Sequence, residues 1–133
     1  MRILPQSIEK IKEPLHVAIY IRTSVNSVSS YGYQESTLKK IIEEHPSWIY
    51  EGSYADGISA SAPFEDRVGL NLLINECKEG NIDLVLTKSV SRFSKNVIEG
   101  VEITKALAKL PHPVGVYFEA EGIYSLEHPM EKE

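Results

Sequence analysis

Two side chains able to do chemistry arrive together at the end of one apolar run. His16-Val17-Ala18-Ile19-Tyr20-Ile21 leads directly into Arg22-Thr23-Ser24, and on an extended backbone residues two apart share a side. A guanidinium and a hydroxyl therefore leave the strand together. Two later stretches repeat the theme. Asp56, Ser59 and Arg67 follow a second strand-like run, and Lys88, Ser89, Ser91, Arg92, Ser94 and Lys95 lie within Thr87 to Asn96, a stretch without an acid. The chemistry that suits this set is phosphoryl transfer. Arginine forks grip non-bridging phosphate oxygens in two places and neutralise charge as a phosphodiester passes through its transition state. Serine would be the nucleophile, and a transient phosphoserine would conserve the energy of the broken ester.

The elements that must position these groups alternate along the chain. After the first strand and a polar stretch from Val25 to Tyr33, Leu38, Ile41 and Ile42 recur at helical spacing up to His45-Pro46, where the proline stops the helix. Trp48 through Tyr54 reads as a second strand, followed by a small-residue loop from Ala55 to Glu65. Asp66 is the expected N-cap of a helix with the inward stripe Gly69, Leu72, Leu73 and Glu76/Cys77, ending at Gly80. Ile82 to Leu86 is a nearly continuous apolar run, as buried parallel strands are. Asn96 with Glu99 forms a capping box for a helix carrying Val97, Val101, Thr104 and Ala108 on one face, and Val114 to Phe118 is a fourth strand. This order predicts an α/β fold: one three-layer domain, a mostly parallel central sheet flanked by helices, in flavodoxin-like order. Loops that follow parallel strands emerge at one edge, the edge where ligands bind in such sheets. All three polar stretches therefore meet on one rim.

Composition narrows the possibilities. The chain has 133 residues, 42% of them apolar, enough for one core and one domain. No apolar run approaches membrane-spanning length and the N-terminus lacks a signal-peptide core, so a soluble, cytoplasmic protein is expected. Cys77 is the single cysteine and falls on the inward stripe of a helix, which makes it a core residue. The net charge of −5 repels a polyanion overall, so any nucleic-acid affinity must be local or supplied by further sequence. His16 opens a strand, while His45, His112 and His128 sit at helix ends or in the tail, positions that suit structural roles. Gly-x-Ser-x-Gly, Gly-x-x-x-x-Gly-Lys-Ser/Thr, Gly-x-Gly-x-x-Gly and His-Glu-x-x-His are all absent. On these residues alone, a flavodoxin-like domain that binds a small phosphate ligand is the competing reading, weakened by the missing phosphate loop.

Five motifs in order carry a family resemblance: Tyr20-x-Arg22-x-Ser24, Tyr54-Ala55-Asp56-Gly57-Ile58-Ser59, Asp66-Arg67-x-Gly69, Gly80-x-Ile82-Asp83, and Thr87-Lys88-Ser89-Val90-Ser91-Arg92-Phe93-Ser94-Lys95-Asn96. Together they resemble the catalytic domain of serine site-specific recombinases, the resolvases and invertases. The version is most similar to the large recombinases of conjugative transposons and phages. The resemblance implies that Ser24 attacks a DNA phosphodiester and becomes linked to the 5′ phosphate, with no metal or nucleotide cofactor. It implies phosphate binding by Arg22, Arg67 and Arg92, and supporting roles for Gln34, Ser59, Lys88 and Asp83. It also implies DNA as the partner, self-association to dimers and a tetramer, and no membrane.

Four positions depart from the family pattern. Lys95 replaces a customary arginine, Ser91 stands where resolvases have aspartate, Val28 stands where a glutamine usually follows the nucleophile, and Ala60 replaces a glycine. Serine at position 91 is also common in transposon-borne relatives, but Lys95 and Val28 motivate an alternative reading: a catalytically impaired relative acting as an oligomerisation or regulatory module. The expected organisation is an N-terminal extension over 1–14, the catalytic domain over 15–126, and a tail over 127–133 at the start of a truncated linker helix. Most phosphate contacts would then belong to absent C-terminal domains, leaving this chain a weak DNA binder.

Overall fold

The apolar run after Pro14 forms β1 (Leu15–Thr23), buried along almost its whole length. The chain is described here from a computed structural model, which covers residues 4–5, 8, 14–24, 28–59, 62–94 and 96–127. After β1 come α1 (Val28–Glu43), β2 (Trp48–Gly57), a 3-10 turn (Phe64–Asp66), α2 (Val68–Lys78) and β3 (Leu84–Thr87). The short α3 (Val90–Phe93), α4 (Val97–Ala108), β4 (Gly115–Phe118) and β5 (Ile123–Tyr124) complete the order. The sheet runs β2-β1-β3-β4-β5, with the first four strands parallel and β5 antiparallel to β4. This is the expected mostly parallel, helix-flanked α/β architecture.

Alternation along β1 builds both halves of the core. Leu15, Val17, Ile19 and Ile21 pack with Leu38, Ile41 and Ile42 of α1, a cluster that also buries Leu4 and Ile8. Ala18 and Tyr20 point the other way, onto Leu70, Leu73 and Cys77 of α2 and Ile103 and Leu107 of α4. A strand covered on both faces must be apolar throughout, and β1 is. β2 lies at the sheet edge and carries one extra residue opposite the step from Val17 to Ile19, at Gly52 with φ 114°.

Several boundaries differ from the sequence reading, for identifiable reasons. Helix α1 begins at Val28, inside the stretch read as a polar connection, because its first turns are half-solvated and carry little apolar signal. The loop expected from Ala55 is shorter, since β2 continues to Gly57 and the 3-10 turn precedes α2. Ala60 lies outside the described residues. Asp66 does not cap α2: it sits in the 3-10 turn, and the carboxylate of Asp56 accepts from Gly69 N at 2.7 Å and Leu70 N at 3.0 Å. A carboxylate from a neighbouring strand thus replaces the local cap. The buried face of α2 is Gly69, Leu70, Leu73 and Cys77, with Leu72 turned outward, and α4 buries Gly100, Ile103, Thr104 and Leu107 in place of Val97. β5 follows the turn at Gly122 (φ 67°), and a two-residue strand is too short to leave a pattern.

Candidate active site at the strand ends

The sheet changes winding direction at β1: its own crossover through α1 leads out to β2, and the next, through α2, leads back to β3. The crevice beyond the carboxyl ends of β1 and β3 is where such folds hold ligands. Arg22 and Thr23 end β1 there with Ser24 next, and Thr87 ends β3 with Lys88 next. Thr87 Oγ1 ties the two strand ends together by donating to Tyr20 O at 3.0 Å.

Arg22 is 7% exposed and threaded into this rim. Its Nε donates to Arg92 O at 3.1 Å and its Nη1 to Ile58 O at 3.1 Å. Its own carbonyl accepts from Gln34 Nε2 at 3.1 Å and from Arg92 Nη1 at 3.4 Å. Burial first, then the charges of Arg92 and Arg67, lower the Arg22 pKa from its ordinary value, but an arginine starts so high that it stays charged. The strand is therefore held from two sides two residues before Ser24. Ser24 itself, one residue past the strand, is exposed to solvent.

Arg92 rides on α3, a single turn whose first free N–H groups are answered by Ser89: its Oγ accepts from Arg92 N at 3.2 Å. Phe93 pins this turn to the core, packing edge-on against both Tyr20 and Phe118. Arg92 remains half-buried, the most accessible of the three arginines. Ser91 is exposed, with its Oγ 3.3 Å from that of Ser89. Ser59 is exposed on the loop after β2. Lys95 lies outside the described residues.

Arg67 is 1% exposed; its terminal nitrogens bond within the protein, and its buried Nε has no partner. Its Nη1 reaches Glu99 Oε1 at 3.3 Å, and its Nη2 donates to Phe93 O and, at 3.0 Å, to the Tyr20 hydroxyl. The Tyr20 hydroxyl in turn donates to Asp56 Oδ2 at 2.7 Å, and burial raises its pKa. Gln34, 2% exposed, keeps one buried atom, Oε1, without a partner.

A search of protein-family descriptions matches residues 17–133 to the resolvase N-terminal domain. The chain belongs to the resolvase family. Among solved structures it is similar to the N-terminal catalytic domain of TP901-1 integrase, with 26% identity, a TM-score of 0.70, and 84% of this chain and 82% of that one covered. It shares its fold with a resolvase-family site-specific recombinase from Streptococcus pneumoniae (24% identity, TM-score 0.63, 85% and 77% covered). The same holds for the C-terminal catalytic domain of ISC1926 TnpA, an IS607-like serine recombinase (18%, 0.69, 79% and 67%). A comparison with curated proteins yields no match.

In this resolvase-type domain the rim gathers Arg22, Ser24, Gln34, Ser59, Lys88, Ser91 and Arg92, with Arg67 buried directly behind. Asp83 is not brought to them. It stands before β3 at the opposite sheet edge, where it accepts from His16 N at 2.8 Å and pairs with His112 Nε2. The four-residue strand alone separates the two edges by about 13 Å. His16 and His45 are likewise engaged structurally, with Glu51 at 2.5 Å and Ile41 O at 2.7 Å, while His128 lies outside the described residues.

Sequence reasoning missed the acids of this rim. Glu119 bonds Lys88 Nζ at 2.7 Å, and Glu121 accepts from Val90 N at 3.2 Å. The stretch read as purely basic is thus partly neutralised from the next strand. The signal was available, because the rule that sends three loops to one edge also sends Glu119-Ala120-Glu121, which follows β4.

Proposed function

We propose that the chain is the catalytic domain of a DNA site-specific recombinase in which Ser24 is the nucleophile. The Ser24 Oγ–phosphorus bond forms as the bond to the 3′ oxygen breaks. The serine proton leaves, the departing oxygen takes one up as a 3′ hydroxyl, and religation reverses the exchange. Arg22 and Arg92 would grip the phosphate, with Lys95 adding charge but not a fork. Gln34, Ser59, Lys88 and Ser91 would support the site, and Arg67 would contribute its charge from behind. DNA is the proposed partner, self-association of the chain the proposed means of pairing two duplexes, and no metal or nucleotide cofactor is invoked.

One observation carries this reading: an exposed serine follows a strand end that Arg92 and Gln34 both hold through the carbonyl of Arg22. The test uses nicked duplex DNA of randomised sequence whose bridging 3′ oxygen is replaced by sulfur, so that cleavage is not reversed. A denaturation-resistant protein–DNA complex is expected, and one that persists in Ser24→Ala sinks the reading.

The burial of Arg67 favours a second reading, an impaired relative serving as an oligomerisation or regulatory module. Lys95→Arg separates the two. A gain of cleavage supports the enzyme; no gain, together with intact self-association, supports the module.

A further inference from the structure

Glu99, in the first turn of α4, collects donors from two directions on one oxygen. Its Oε1 lies 3.3 Å from Arg67 Nη1 and 3.1 Å from Ser94 Oγ. The Ser94 hydroxyl also lies 2.9 Å from Asn96 O, so its one proton serves either acceptor. Arg67 meanwhile grips Phe93 O through Nη2. The guanidinium therefore spans the connection between α3 and α4, holding the residue that follows Arg92 at one end and the α4 carboxylate at the other.

Charge makes this arrangement directional. Arg67 is 1% exposed, and among the described residues Glu99 is the one carboxylate hydrogen-bonded to it. Asp56 is nearby but committed to the amides of α2 and to Tyr20. Without Glu99, a buried cation would be left with neutral acceptors and would be driven toward water. Its hold on Phe93 O would go with it. Glu99 keeps 23% of its side chain exposed, so it can neutralise Arg67 without being fully dehydrated itself.

The geometry points to Glu99 as a positioning residue for the arginine turn. Its carboxylate fixes Arg67, Arg67 fixes Phe93, and Phe93 sets where Arg92 stands on the rim. This rests on the reading above, in which Arg92 meets the scissile phosphate.

The test pairs single-turnover cleavage of the sulfur-bridged DNA with amide hydrogen exchange in Glu99→Ala, Glu99→Gln and Ser94→Ala. Glu99→Ala should lower the rate at saturating DNA by about tenfold or more while the half-saturating concentration stays within about twofold. Exchange at the Phe93 and Ser94 amides should accelerate by about fivefold or more, with β1 and β3 unchanged. Glu99→Gln keeps an acceptor oxygen but not the charge, so Arg67 is left with neutral acceptors and both readouts should still change in the direction of Glu99→Ala, by about threefold or more. Ser94→Ala removes one of the two donors that orient the Glu99 carboxylate and leaves the ion pair, so it should loosen Phe93 and Ser94 measurably but less than Glu99→Ala does, which keeps the inference exposed to test if Glu99→Ala does not fold. Unchanged exchange at those amides, acceleration spread equally over β1 and β3, or a loss confined to DNA affinity would each overturn it. If the parent protein gives no Ser24-dependent cleavage, the recombinase reading fails, and the exchange data still decide whether Glu99 positions the turn.

Discussion

Arg22 and Arg92 hold each other by backbone and side chain in both directions: Arg22 Nε donates to Arg92 O, and Arg92 Nη1 donates to Arg22 O. Two like charges are kept side by side by bonds to each other's carbonyls, an arrangement that an incoming anion would relieve. Arg92→Lys retains the charge and loses the fork. About a 100-fold drop in cleavage rate is expected, as for the loss of one donor that stabilises a transition state. Because Arg92 is half-buried, the unfolding free energy should change by no more than about 1 kcal/mol. Single-turnover kinetics and urea titration measure the two separately.

Gly69→Ala should destabilise the protein, reversing the usual preference for alanine in a helix. A Cβ there would collide with the backbone of Ala55, which cannot swing aside as a flexible side chain would. A loss of about 2 kcal/mol in urea unfolding is expected. An increase in stability would show that the approach of α2 to β2 is looser than described.

Asp56→Asn tests the long-range cap. The amide keeps one acceptor oxygen but sets an NH2 where a carboxylate oxygen accepted from Leu70 N and the Tyr20 hydroxyl. A loss of about 2–3 kcal/mol is expected. Asp66→Asn, at the position that local sequence marks as the cap, should change stability by less than about 0.5 kcal/mol.

Alkaline solution should weaken the fold through Cys77. Burial, aided by Glu76, pushes its thiol up from 9.0 to about 12. Between those values the folded chain holds a proton that the unfolded chain has released, so this contribution is complete below 9.0 and fades as pH climbs toward about 12. Stability attributable to this group should fall by about 2 kcal/mol between about pH 8 and about pH 10.5. Cys77→Ala should flatten that part of the pH profile. Tyr124, which burial and Glu127 also push up to about 12 from 10.0, adds a loss of its own that starts at higher pH and is smaller in total.

How much was legible follows from what each signal depends on. The stripe of Leu38, Ile41 and Ile42 and the apolar runs of β1 and β3 identify their elements because burial is written into spacing. Arg22 and Ser24 could be placed on a rim with Arg92 because parallel topology alone dictates the edge. The cap of α2 could not be read, since Asp56 answers amides 13 and 14 residues away and only the fold brings them together. Asp83 looked like a site residue by motif, yet a start-of-strand position sends it to the far edge. The burial of Arg67 behind Arg92 was equally hidden, because it depends on Glu99 from a later helix.

The extra residue at Gly52 has a consequence for life in a crowded solution. β2 is the outermost strand, ten residues long, and a flat strand of that length would offer its free N–H and C=O groups as a template for another chain. The bulge twists that row out of register midway, so no partner can add to it along its full length. The resolvase-type fold is thus shaped against accidental polymerisation. Straightening β2 by deleting Gly52 should appear first as aggregation.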